Sequence, residues 1–202
     1  MNKTLAHITS ALLHPMLIPT YGLLTIFHTN NSMIMLPLEA KRIILLIVGI
    51  NTLILPLLMI PLFHRLGIVK SIQMQEHRER IVPVTFTLIP YIFSFYFLKR
   101  LPIPNEISTF MLGATITIAL ILLISIWWKI SIHMVGIGGL AGLTFALSQK
   151  GYYNMLWVII IAIALSGIIA WARLALKAHN SAQVYAGFAL GWVTVALCVI
   201  LV

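Results

Sequence analysis

The 202 residues are 61% hydrophobic and 8% charged, with a mean hydropathy of +1.06, which leaves too little polar surface to cover a water-soluble globule. Thirteen Lys and Arg oppose four acids, all of them Glu, for a formal net charge of +9. The basic residues stand singly or in pairs between apolar runs, a distribution that suits a membrane boundary or a phosphate ligand and argues against nucleic acid.

Backbone amides find no partners in hydrocarbon, so a span must be a helix or a strand of a closed barrel, and these continuous apolar runs lack the alternation of barrel strands. The chain therefore reads as all-α, a polytopic transmembrane helical bundle of six to seven spans. No internal repeat, low-complexity linker or shift of composition divides it, so residues 1–202 are expected to form a single membrane domain.

Runs near the length of about 20 residues that a crossing needs occur at Ala11 to Phe27, Ile43 to Phe63, Ile81 to Leu98, Ile107 to Trp128, Met134 to Ser148, Tyr153 to Ala172 and Ser181 to Val202. The first is broken by His14, Pro15 and Pro19 and preceded only by Lys3, which makes a poor signal peptide, so it is expected to remain as a span. Asn51, Pro56 and Pro61 are positioned to break the second. Glu76-His77-Arg78-Glu79-Arg80-Ile81-Val82-Pro83 opens the third. Such a charge run is most often a solvated face, yet Arg78 and Arg80 also offer forked donors to a phosphate, with Glu76 or Glu79 to orient them.

The fifth run is short and rich in glycine, and opens with Lys129-Ile130-Ser131-Ile132-His133. Ser131 is expected to cap the helix, which places His133 in the first turn, where unpaired amides favour an anion. Gly138 and Gly142 read as close helix packing rather than as a phosphate loop. Between the sixth and seventh runs lies Arg173-x5-His179-x3-Gln183, with Asn180 or Ser181 able to cap the last helix just after His179. His7, His14, His28 and His64 are expected to be structural or interfacial. Glu76 and Glu79 are the only close pair of acids, too few for an octahedral magnesium or two-metal site, and no His or Cys set has zinc spacing. Phosphate chemistry here is expected to need no metal and no cofactor. Cys198 is the sole cysteine, so no intrachain disulfide can form.

Seven crossings sort the connections into two sides. The N-terminus, the 64–80 loop and the junctions Lys129 to His133 and Arg173 to His179 fall together, and most of the unusual polar chemistry falls with them. That side carries eight Lys and Arg (3, 65, 70, 78, 80, 129, 173 and 177) against five (41, 42, 99, 100 and 150) opposite. If ligand binding holds residues 78, 80, 129, 173 and 177, the tally becomes three against five and the positive-inside rule puts the site outside the cytoplasm.

The three junctions resemble the type 2 phosphatidic acid phosphatase (PAP2) superfamily of membrane lipid phosphatases, in particular the divergent short members found in Bacteroidetes. The family's motifs read K-x6-R-P, P-S-G-H and S-R-x5-H-x3-D. Here the third stands as Ala172-Arg173-x5-His179-x3-Gln183, the second as Ile130-Ser131-Ile132-His133, and the first only as Arg78-Glu79-Arg80-Ile81-Val82-Pro83, without its lysine. An extra helical pair, 81 to 98 and 107 to 128, separates the first two. The resemblance covers roughly residues 70 to 190.

It implies a bacterial inner-membrane protein with its site facing the periplasm, hydrolysing a polyprenyl or phosphatidate-like lipid phosphate through phosphohistidine. His179 would attack phosphorus and His133 would protonate the leaving oxygen. Arg173, with Arg78 or Arg80, would hold the equatorial oxygens, and our own reading adds Lys129 and Ser131 to that clamp. Gln183 replaces the family's Asp and offers His179 only a neutral acceptor. The alternative reading is a noncatalytic subunit that binds anionic lipid or scaffolds other membrane proteins.

Overall fold

The computed structural model describes residues 3–29, 36–69, 76–151 and 155–202. Lys70, from the positive-inside tally, and Tyr153, expected to open the sixth span, lie outside the described residues. Seven described helical stretches are long and apolar enough to cross a membrane: Lys3–His28, Leu38–Arg65, Arg78–Lys99, Asn105–Ser125, Ile132–Gln149, Met155–Ala175 and Ser181–Leu201. The chain is all-helical in its described parts and has the make-up of an integral membrane protein.

The first stretch is two helices, α1 (Lys3–Leu12) and α2 (Ile18–Thr29), joined through a 3₁₀ turn at Pro15–Leu17. Pro15 disfavours a helical conformation for the residue before it, and His14 is accordingly extended, with φ −66° and ψ 138°. The helix ahead of it therefore stops, and α1 begins well before the expected Ala11. In the second stretch, α3 (Leu38–Gly49) passes through a π-helical turn at Ile50–Ile54 into α4 (Leu55–Arg65). Pro56 has no N–H to return to the carbonyl of Thr52, so the ladder widens locally and the span continues unbroken.

A 3₁₀ turn at Arg78–Arg80 leads into α5 (Ile81–Lys99), followed by α6 (Asn105–Ser125), α7 (Ile132–Gln149), α8 (Met155–Ala175) and α9 (Ser181–Leu201). The glycine-rich α7 is the centre of the bundle: 67% of its apolar window is buried, against 22% to 50% for the other spans. It packs most extensively on α9 and then on α8, while α5 pairs with α6 and α1 lies on α8. Glycine allows the central contact. A Cβ at Gly138 or Gly142 would run into the carbonyl oxygens of Phe188 or Trp192, and one at Gly191 into that of Val135, so the two backbones touch as small residues permit.

The two ends of the bundle differ as the sorting of connections requires. At one end His77 Nδ1 lies 2.9 Å from the Ser125 carbonyl, Arg80 donates to the Ile130 carbonyl at 2.9 Å, and the Ser131 amide donates to the Gln183 carbonyl at 3.3 Å. At the other, Asn105 donates to the carbonyl of Val202 at 2.9 Å. Trp127 and Tyr185 are exposed at the first end and Trp157 toward the second, as expected of aromatic anchors at two membrane surfaces.

Candidate functional site

Between the two motif residues Arg173 and His179 the chain makes a compact reversal. Lys177 takes the left-handed conformation, φ 51°. The Ala178 amide donates to the Arg173 carbonyl at 3.1 Å and the Lys177 amide to that of Leu174 at 3.0 Å, the paired bonds of a Schellman ending. Two residues later Asn180 caps α9: its side chain accepts from the Gln183 amide, and the Gln183 side chain accepts from the Asn180 amide. A helix ending and a capping box joined in this way fix the R-x5-H-x3-Q spacing and fold His179 back beside Arg173.

The same capping box settles the state of His179. A backbone N–H can only donate, so the atom of Gln183 that meets Asn180 N at 3.3 Å is the carbonyl oxygen, Oε1. That oxygen lies 3.0 Å from His179 Nδ1. Nδ1 must therefore carry the proton, which leaves the lone pair on Nε2. Burial pushes the His179 pKa down to about 4, with repulsion from Arg80, Arg173 and Lys129 adding and the Gln183 hydrogen bond opposing. The imidazole is neutral at pH 7.

His133 sits in the first turn of α7 and comes to the same place. Its Nε2 lies 3.2 Å from the carbonyl of Ser10, which can only accept, so Nε2 holds a proton and Nδ1 is the nitrogen left for proton exchange. Ser10 lies in the last turn of α1, and its Oγ also accepts from Arg173 Nη1 at 3.4 Å. Arg173 Nε is buried without a hydrogen-bond partner among the described residues, an uncommon state for a guanidinium.

His133, Arg173 and His179 line one cavity of about 250 Å³. Its polar end carries Arg80, Arg173, His133, His179 and His14. Its walls are mainly apolar: Pro83, Val84, Thr87 and Tyr91 follow Arg80 along the third span, Phe110, Ala114, Thr117, Ile118 and Ile121 lie on α6, and the first, second, fifth and seventh spans add further apolar residues. From Arg80 to Tyr91 is eleven residues, or about 16 Å of helix, which is half of a hydrocarbon core about 30 Å thick. Among the described residues, no group of three His, Cys, Asp or Glu is placed to hold a metal ion.

The structure brings together His133, His179, Gln183, Arg173 and Arg80, but it separates the two arginines of the first junction. Arg80 is buried against the cavity while Arg78 is exposed and does not line it, because they are two residues apart on a tight turn and face different ways. Ser131 occupies the cap position of α7, yet its hydroxyl makes no capping bond and is buried without a partner outside the cavity lining. What Ser131 supplies is its backbone, bonded to Gln183. Lys129 is half-exposed and does not line the cavity; its ammonium is held below the usual range by burial, then by Arg80 and Arg173. Lys177 is exposed.

His14, expected to be structural or interfacial, lines the cavity, and its ring meets that of His133 edge to face with centroids 5.2 Å apart. His7, His28 and His64 are exposed. The break at His14-Pro15 was the one sequence feature that could have singled out His14, and nothing local pointed to Ser10. Comparison of the chain with family models, curated proteins and solved structures returns no match.

Proposed function

We propose that the chain is a PAP2-like, metal-independent membrane phosphatase acting on a lipid phosphate or diphosphate. One observation carries the reading: a cavity with two guanidiniums and three imidazoles at the membrane-boundary end continues as an apolar trough between the spans. An anionic head with a hydrocarbon tail matches both halves. A soluble phosphate would leave the trough unused.

In this reading Arg80 and Arg173 hold the phosphoryl oxygens and Lys129 adds charge nearby. His179 Nε2 attacks phosphorus as the bond to the lipid oxygen breaks. That oxygen takes the electron pair and a proton from Nδ1 of a protonated His133, whose other nitrogen stays on the Ser10 carbonyl. Water then attacks the phosphorus, His133 Nδ1 accepts its proton, and the P–N electrons return to His179. The discounted charge tally supports a site outside the cytoplasm, which in a bacterial inner membrane would be the periplasmic side.

The test is phosphate release from polyprenyl and phosphatidate-like lipids by the purified protein, with a chelator present. The parent is expected to turn over at least one of them, and His179→Ala to fall to background. Equal release by both would end the catalytic reading. The neutral Gln183 favours one other outcome, a noncatalytic lipid-binding subunit, which stoichiometric bound lipid or a co-purifying membrane partner without turnover would identify.

A further inference from the structure

We infer that His14 is a phosphate-binding residue of the cavity: a neutral imidazole held as a fixed N–H donor. The inference deepens the lipid-phosphate reading and rests on it for the identity of the anion. Its ground is the way the backbone has assigned the three imidazoles of the cavity different nitrogens.

His14 Nδ1 accepts from the Met16 amide at 3.3 Å, the contact that caps the Pro15–Leu17 turn. An amide only donates, so this Nδ1 keeps its lone pair and the neutral ring carries its proton on Nε2. Taking a second proton would mean breaking the cap. His14 therefore acts neither as nucleophile nor as base, and what it can offer the cavity is Nε2–H, which has no hydrogen-bond partner among the described residues. His179 is the reverse case, with Nδ1–H spent on Gln183 and a lone pair on Nε2. His133 spends Nε2–H on Ser10 and keeps Nδ1 for proton exchange. One ring donates, one attacks and one carries protons. The edge-to-face contact sets the His14 ring beside that of His133, both lining the cavity in which a phosphoryl oxygen would lie during transfer.

Two substitutions separate this role from mere capping. His14→Asn keeps an acceptor at the Nδ1 position and loses the distant donor. His14→Gln loses the near acceptor and keeps an N–H at the Nε2 position. Orthovanadate binding to the purified full chain, read as displacement of a fluorescent lipid phosphate, reports the anion site without requiring turnover. His14→Asn is expected to weaken vanadate binding by roughly tenfold to a hundredfold, as for one lost hydrogen bond to a charged group, with thermal stability close to the parent's. His14→Gln is expected to bind within a few-fold of the parent while unfolding at lower temperature. The inference is overturned if His14→Asn binds like the parent, if both variants weaken equally, or if the parent binds no vanadate. A parent that binds vanadate but hydrolyses no lipid would end the catalytic reading and leave the role of His14 standing.

Discussion

At position 183 a neutral amide stands where the PAP2 pattern has a carboxylate, and its neighbours decide what that substitution changes. An amide beside a histidine can present oxygen or nitrogen, and presenting nitrogen would force the wrong tautomer on the ring, the fault that cripples a triad whose Asp becomes Asn. Here the Asn180 amide pins the oxygen inward, so the tautomer survives and only the charge is lost. Gln183→Leu is expected to lower kcat by about a hundredfold or more. Gln183→Glu, which keeps the oxygen and adds charge, is expected to raise the pH of the acid limb of kcat/KM; an unmoved limb would mean that residue 183 does not sense the charge of His179. Stability should report the same histidine. Its folded pKa of about 4 lies below the ordinary 6.5, so between those values the unfolded chain binds a proton that the folded site refuses. Stability therefore falls as pH drops from 6.5 toward 4 and levels off below. Thermal unfolding in detergent across that range should show a shallower slope for His179→Gln than for the parent.

Elements carry the site through two devices, the reversal between α8 and α9 and the glycine contact between α7 and α9. Lys177 pays a conformational penalty in the left-handed region that glycine does not. Because its side chain is exposed, Lys177→Gly should stabilise the protein by about 1 kcal/mol and leave activity unchanged, measured as a rise in unfolding temperature. Gly191→Ala should do the opposite, since its methyl would meet the Val135 carbonyl; a loss of about 1–3 kcal/mol is expected. The R-x5-H-x3-Q spacing was legible in the sequence because helix ending, reversal and cap are all local. So was the packing role of Gly138 and Gly142. The choice of Arg80 over Arg78 was not, because two residues on a short turn diverge in direction only once the turn is folded. Nor were Ser10 and His14: they lie well over a hundred residues before His133 in the chain, and only the docking of the first span brings them beside it.

For the whole molecule, the crossing pattern read from apolar runs put the three junctions at one end, and the contacts at that end join them directly. Composition could not reveal the trough. Its walls are built from ordinary apolar residues of several spans, indistinguishable in sequence from those that face lipid. In the proposed function the cavity would set a head group against fixed cations and leave the rest of the ligand in hydrocarbon. The proposed chemistry requires His179 to form a bond to phosphorus. Rapid quench of the purified protein with labelled lipid phosphate, followed by mass spectrometry at alkaline pH, tests it most directly. The account predicts an acid-labile phosphate on His179 that is absent from His179→Ala. Turnover that proceeds with phosphate on another residue, or unimpaired in the variant, would contradict it.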